Sequence, residues 1–266
     1  MEKGMGANLE DAVGFVQREG GEIERARLET ILHGHKPAEN VVEAITGMQN
    51  DDGGFPYNRE EGKPSTISDT EGVLVWLSDL GLMASGVGRR AIGYLLSMQK
   101  EDGSWDENPE ITEYDPPVWM TPGDERVAVF NTCYSGFWLG VAGYRKDASF
   151  KKAYNFLIEH QDEWGRFSGF LHSSWIGTSV FAMAEGWESE RVRRGVEFLD
   201  GIAPSVWVAS QISWLLWCFA VASVPKDTPF VEKMLDELSK RQRDDGSFAS
   251  EDGDPFALDT TIEAIK

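Results

Sequence analysis

An all-α toroid, an (α/α)6 barrel of about six tandem helix hairpins, is the fold this sequence predicts. Three observations carry it. A glycine-centred phrase recurs four times, an amphipathic helix precedes each copy, and a helix apolar on nearly every side follows.

The phrase reads Gln49-Asn50-Asp51-Asp52-Gly53-Gly54-Phe55, then Gln99-Lys100-Glu101-Asp102-Gly103-Ser104-Trp105. It returns as Gln161 to Phe167 and again as Gln242 to Phe248. Glycine permits a tight turn and the aromatic covers it, so the phrases read as structural. Ahead of them, Val41, Ala44, Ile45 and Met48 fall on one stripe of a 3.6-residue period. Ala91, Leu95 and Met98 repeat the stripe, as do Val231, Met234, Leu235 and Leu238. Two degenerate copies, around Leu9 to Gln17 and Val192 to Gly201, bring the count to six.

Behind the phrases lie Val73 to Leu77, Phe137 to Leu139 and Ile212 to Ala222, helices without a polar face and therefore expected inside. Their N-caps are expected at Asp69-Thr70, Asn131-Thr132, Ser173-Ser174, Ser210 and Asp259-Thr260. The apolar helices form an inner ring and the striped helices an outer one, in a single toroid domain spanning residues 1–266. The last inner helix reaches only Lys266, so the ring is expected to close incompletely and to leave room for a partner subunit.

Composition sets bounds on function. A net charge of -20 argues against nucleic acid and anionic membranes as partners. Only Cys133 and Cys218 occur, which suits a reducing, cytoplasmic setting. Met1 to Glu10 shows no apolar leader, and the uncharged run from Ile202 to Val224 has too short an apolar part to span a bilayer.

The Gln-x-x-Asp-Gly-Ser-Trp phrase at 99–105, with its three relatives, resembles the QW and prenyltransferase repeat over roughly residues 8–266. That repeat belongs to squalene and oxidosqualene cyclases and to the β-subunits of protein prenyltransferases. The resemblance implies a central cavity lined at its mouth by inner-helix N-termini, and an isoprenoid or other apolar ligand.

Two chemistries are implied. Prenyltransferase β-subunits carry Asp-x-Cys-Tyr at one inner helix and His-Thr at the next, the Asp, Cys and His holding zinc. Asn131-Thr132-Cys133-Tyr134 is similar, with His172-Ser173 at the matching place. The resemblance thus implies a zinc site on Cys133, His172 and the position of Asn131, where a neutral amide replaces the acid, and it makes Tyr134 a catalytic candidate. Three protein ligands and one open position suit catalytic zinc. On the residues alone, Cys133 reads instead as a small buried side chain and His172 as a hydrogen-bonding loop residue. Squalene-hopene-type cyclases instead protonate an alkene with Asp-x-Asp-Asp. Asp69-Thr70 matches the end of that motif, with Thr66 and Ser68 at its other acidic positions; Asp259-Thr260 follows Phe256 and Leu258. Asp69 and Asp259 are catalytic candidates on this ground, and helix capping is their alternative role.

A prenyl diphosphate would need cations at the mouth. Arg126, five residues before Asn131, is the candidate, with Arg25 and Arg27 on the first inner helix. Trp76, Trp138, Trp175, Trp214 and Trp217 fall on inner helices, where they fill the core or face a polyprenyl chain, a carbocation or a sugar. Trp76, Trp138 and Trp175 are carried, with Arg126, as substrate-binding candidates. The Pro-rich, aromatic stretch from Asp106 to Arg126 reads as an ordered loop over the mouth, either a lid or a surface decoration. Three functions remain open: an isoprenoid-processing enzyme, a non-catalytic toroid binding a hydrophobic ligand or a protein, and a carbohydrate-active toroid.

Overall fold

The computed structural model describes residues 7–266; Met1 to Gly6, on which the expectation about a leader partly rests, lie outside the described residues. Among the described residues twelve α-helices alternate between two rings. The outer ring is α1 (Leu9–Glu19), α3 (Glu39–Gly47), α5 (Gly86–Met98), α7 (Ala148–His160), α9 (Glu190–Asp200) and α11 (Pro229–Ser239). The inner ring is α2 (Glu22–His33), α4 (Ile67–Asp79), α6 (Glu125–Val141), α8 (Leu171–Glu185), α10 (Ala209–Val221) and α12 (Ala257–Ile265). Each inner helix packs on the next, and α12 returns onto α2 and α1, so the (α/α)6 barrel is closed. The one sheet among the described residues, Phe55–Pro56 paired antiparallel with Ser65–Thr66, sits in the loop before α4.

Burial follows the sequence pattern. From Val127 to Gly140, α6 is buried at every position but Ala128, as expected of a helix wrapped by neighbours. By contrast α9 buries only Val192, Gly195 and Leu199, one stripe of an otherwise charged helix.

The four phrases are one repeated joint. The amide nitrogens of Gln49, Gln99, Gln161 and Gln242 each donate to the carbonyl of the glycine four residues on. Each also donates to a carbonyl at the start of the next outer helix: Val87, Ser149, Arg191 and Asn8. The aromatics Phe55, Trp105, Phe167 and Phe248 are buried. Their backbone N–H groups donate to Thr70, Thr132, Ser174 and Thr261 on the inner helix behind. Gly103 shows why the turn needs glycine. Its φ is +95°, and a Cβ there would stand 2.5 Å from the Lys152 carbonyl.

Two expectations change. The inner helices begin earlier than their hydroxyl clusters, with N-caps at Thr66, Asp124, Phe170, Val208 and Phe256. Thr70, Thr132 and Thr261 sit inside the helices, donating to the carbonyl four residues back while accepting the aromatic N–H. Closure is also complete. Gln242 exchanges two hydrogen bonds with the Asn8 backbone, and Val16, Leu28 and Ile262 pack together across the seam.

Candidate functional site

Inside the ring lies a cavity of about 560 Å³. Its mouth is at the N-terminal ends of the inner helices, where the preceding loops contribute Arg59, Trp119, Ser250 to Asp252 and Phe256. One stripe of α4 faces in: Ser68, Glu71, Gly72, Val75 and Trp76, spaced i, i+3, i+4, i+7 and i+8. From α10 come Ser210, Ser213, Trp214 and Trp217, again at helical spacing, and from α6 Phe130 and Tyr134.

The walls are aromatic. Trp214 meets Tyr134 edge-on at 5.1 Å between ring centres and Phe130 at 6.3 Å. His172 joins this cluster 5.3 Å from Trp214, with its Nε2 2.8 Å from Glu251 Oε1. Gln211 donates to the other Glu251 oxygen and Ser210 accepts the Glu251 N–H. The loop before α12 is thereby pinned over α8 and α10.

On the far side is a buried ion network. Arg27, fully buried, pairs with Asp79 at 3.0 Å and with Asp259, while Lys266 pairs with Asp79 at 2.9 Å and Glu263 at 2.8 Å. Burial works against the Arg27 charge, but Asp79, Asp259 and Glu263 outweigh it and its pKa is raised. Burial raises the Glu263 pKa against the opposing pull of Lys266.

Glu71 stands apart from that network. Its side chain is fully buried, one oxygen bonds the Ser135 hydroxyl at 2.7 Å, and the other has no hydrogen-bond partner. Burial pushes its pKa well above the usual carboxylate range, against the smaller pull of Ser135. Burial thus favours its protonated form, on the cavity wall. Glu107 is a different case. From the segment after Trp105 it reaches back to cap α4, accepting the backbone N–H groups of Ile67 at 3.0 Å and Ser68 at 2.9 Å, and the Ser68 hydroxyl.

The candidates from sequence divide. Trp76, Tyr134, His172 and Asp259 line the cavity. Asp69 does not: its carboxylate accepts from Thr66 Oγ1 and the Asn58 N–H, and Thr66 Oγ1 in turn accepts the Asp69 N–H, a reciprocal cap at the start of α4. Trp138 and Trp175 are fully buried in the wall. Arg126 forks onto Asp124 and lies over Phe170 at 5.5 Å. The loop after Trp105 is ordered by Ile111 and Met120, which pack with Tyr57, and it places Trp119 on the mouth.

The residues carried for zinc are not arranged as a ligand set. The Cys133 thiol is fully buried and donates to the Ser173 carbonyl at 3.4 Å; burial, and then Glu71, push its pKa well up and keep it protonated. Asn131 is buried in mid-helix with neither amide atom bonded, and the His172 Nε2 is engaged with Glu251. A thiol turned into the wall towards a backbone carbonyl and a neutral amide inside the helix are a poor ligand set for the ion. Among the described residues no three His, Cys, Asp or Glu side chains gather as a metal would require.

Sequence reasoning overlooked Glu71 and Arg59. Helical spacing held the signal for Glu71, since i+3 from Ser68 and i+4 to Val75 place it on the inward stripe. Arg59 had no such signal, because it lies in a loop.

No family model and no curated protein matches the chain. Solved structures do match. A protein from Actinoplanes superposes with a TM-score of 0.66 at 17% identity, covering 97% of this chain and 96% of that one. Type II terpene cyclase MstE from Scytonema gives 0.62 at 15% identity, covering 97% and 95%. A variant of that cyclase in complex with its substrate, geranylgeranyl dihydroxybenzoate, gives 0.61 at 14%, covering 97% and 94%. The chain thus has the α/α-toroid fold seen in a type II terpene cyclase.

Proposed function

We propose that the protein binds an isoprenoid or isoprenoid-bearing molecule in its central cavity and acts on it by acid catalysis, with Glu71 as the proton donor. The observation that carries this reading is the buried Glu71 carboxyl, one oxygen unpartnered, set in an aromatic wall. A proton passed from Glu71 to an electron-rich ligand carbon or oxygen leaves a cation that the faces of Trp76, Trp214 and Trp217 stabilise. Isomerisation or cyclisation returns a proton at the end, so no co-substrate is consumed. The fold shared with a cyclase whose substrate carries a geranylgeranyl chain supports the same ligand class. Two unpaired, buried cysteines suit a reducing compartment.

A second reading, carriage of the ligand without chemistry, is favoured by one observation. Thr66 and Ser68 occupy the positions where the resembled cyclases hold acids, and Glu107 closes over Ser68. The test is to incubate the protein with geranylgeraniol and squalene, following binding by native mass spectrometry and conversion by gas chromatography. Acid catalysis predicts product from wild type and about 10²-fold or more less from Glu71→Gln, with binding retained. Binding without conversion in the wild type establishes carriage, and absence of binding removes the isoprenoid reading.

A further inference from the structure

The cavity's charged groups are nearly all spent on each other. Of the three basic side chains in its lining, Arg27 is paired with Asp79 and Asp259, and His172 is bonded to Glu251. Arg59 makes no ion pair within 4.0 Å among the described residues. It is exposed at the mouth, its guanidinium carbon 5.0 Å from the centre of the Trp76 ring. The backbone fixes it there. Asn58 and Arg59 are consecutive left-handed residues, at φ 55° and 57°, and the Asn58 N–H is held by Asp69 at 3.1 Å. Such a pair is costly for residues with a Cβ, and the fold supports it beside the cavity.

The opposite rim has the other sign. In the ring order α4 stands across from α10, over which Glu251 and Asp252 hang. An anionic ligand end is therefore repelled on that side and attracted on the α4 side. One planar guanidinium suits one carboxylate, which it binds through two parallel N–H bonds. A diphosphate carries two or three charges and would find a single free cation.

Resting on the reading of the cavity as an isoprenoid site, we infer that Arg59 selects a prenyl chain ending in a single carboxylate, docked against Trp76 at the α4 side of the mouth. The test is titration calorimetry with four probes that share one chain: geranylgeranic acid, geranylgeraniol, geranylgeranylamine and geranylgeranyl diphosphate. The acid should bind at least 10-fold tighter than each of the others. Arg59→Ala should erase its advantage over the alcohol while leaving alcohol affinity within about 3-fold, and Arg59→Lys should retain only part of it. Circular dichroism verifies that the variants are folded. If the alcohol, the amine or the diphosphate binds as tightly as the acid, or Arg59→Ala leaves the preference intact, the assignment is overturned while the isoprenoid reading stands. If no probe binds, the isoprenoid reading falls and takes this assignment with it.

Discussion

Glu71 shows how a single side chain takes its chemistry from burial. Its folded pKa lies above the value near 4.5 of the unfolded chain, because water is excluded and no cation replaces it. The unfolded state therefore loses its proton first as pH rises, so stability is lost progressively from the unfolded pKa up to the folded one, and the loss persists above it. Glu71→Gln keeps the shape and the contact with Ser135 but cannot ionise. Its melting temperature relative to wild type should climb between pH 4 and pH 8; a difference that stays flat with pH would mean Glu71 is ionised in the fold. The residue was legible by spacing and hidden by chemistry, since a Glu beside Asp69 reads as one more helix-start acid. Cys133 shows the reverse. Its motif is visible in sequence, and the thiol is inert because α6 turns it into the wall towards Ser173.

At the scale of the element, the Gln–Gly–aromatic joint ties one outer helix to the next and to the inner helix behind the turn, by the same bonds four times. Gln99 makes two hydrogen bonds from one amide nitrogen. Removing both by Gln99→Ala should cost about 2 kcal/mol in urea unfolding. Gly103→Ala should cost more, about 3 kcal/mol, because a positive φ and a collision with the Lys152 backbone act together. If the alanine at 103 is tolerated better than the one at 99, the turn is not what fixes the joint. The inner helices were recognisable because they lack a polar face, yet their starts were misplaced by two to seven residues. Hydroxyls that look like N-caps in one dimension are here mid-helix acceptors for an aromatic N–H from the preceding loop, a partner that only packing supplies.

Across the whole molecule, closure distinguishes a ring from an open stack of hairpins. The seam between Gln242 and Asn8 has the same two bonds as the internal joints, and α1 packs on α12. Removing residues 7–20 should lower the stability of the entire chain in one cooperative transition by both tryptophan fluorescence and far-ultraviolet circular dichroism. An open array would lose only its first unit and keep the rest. By itself the sequence determined the class of fold, the number of units and which helices lie inside, because these follow from periodicity and from a phrase that repeats. Only the tertiary structure decided which inner residues face the cavity, that Arg27 lies buried in an ion network, and that Arg59 folds back from the loop before α4 to stand over Trp76. The reason is physical. Periodicity reports one face against another along a single helix, whereas a site in a toroid is assembled from six helices and the loops between them, through contacts between residues as far apart as Arg27 and Asp259.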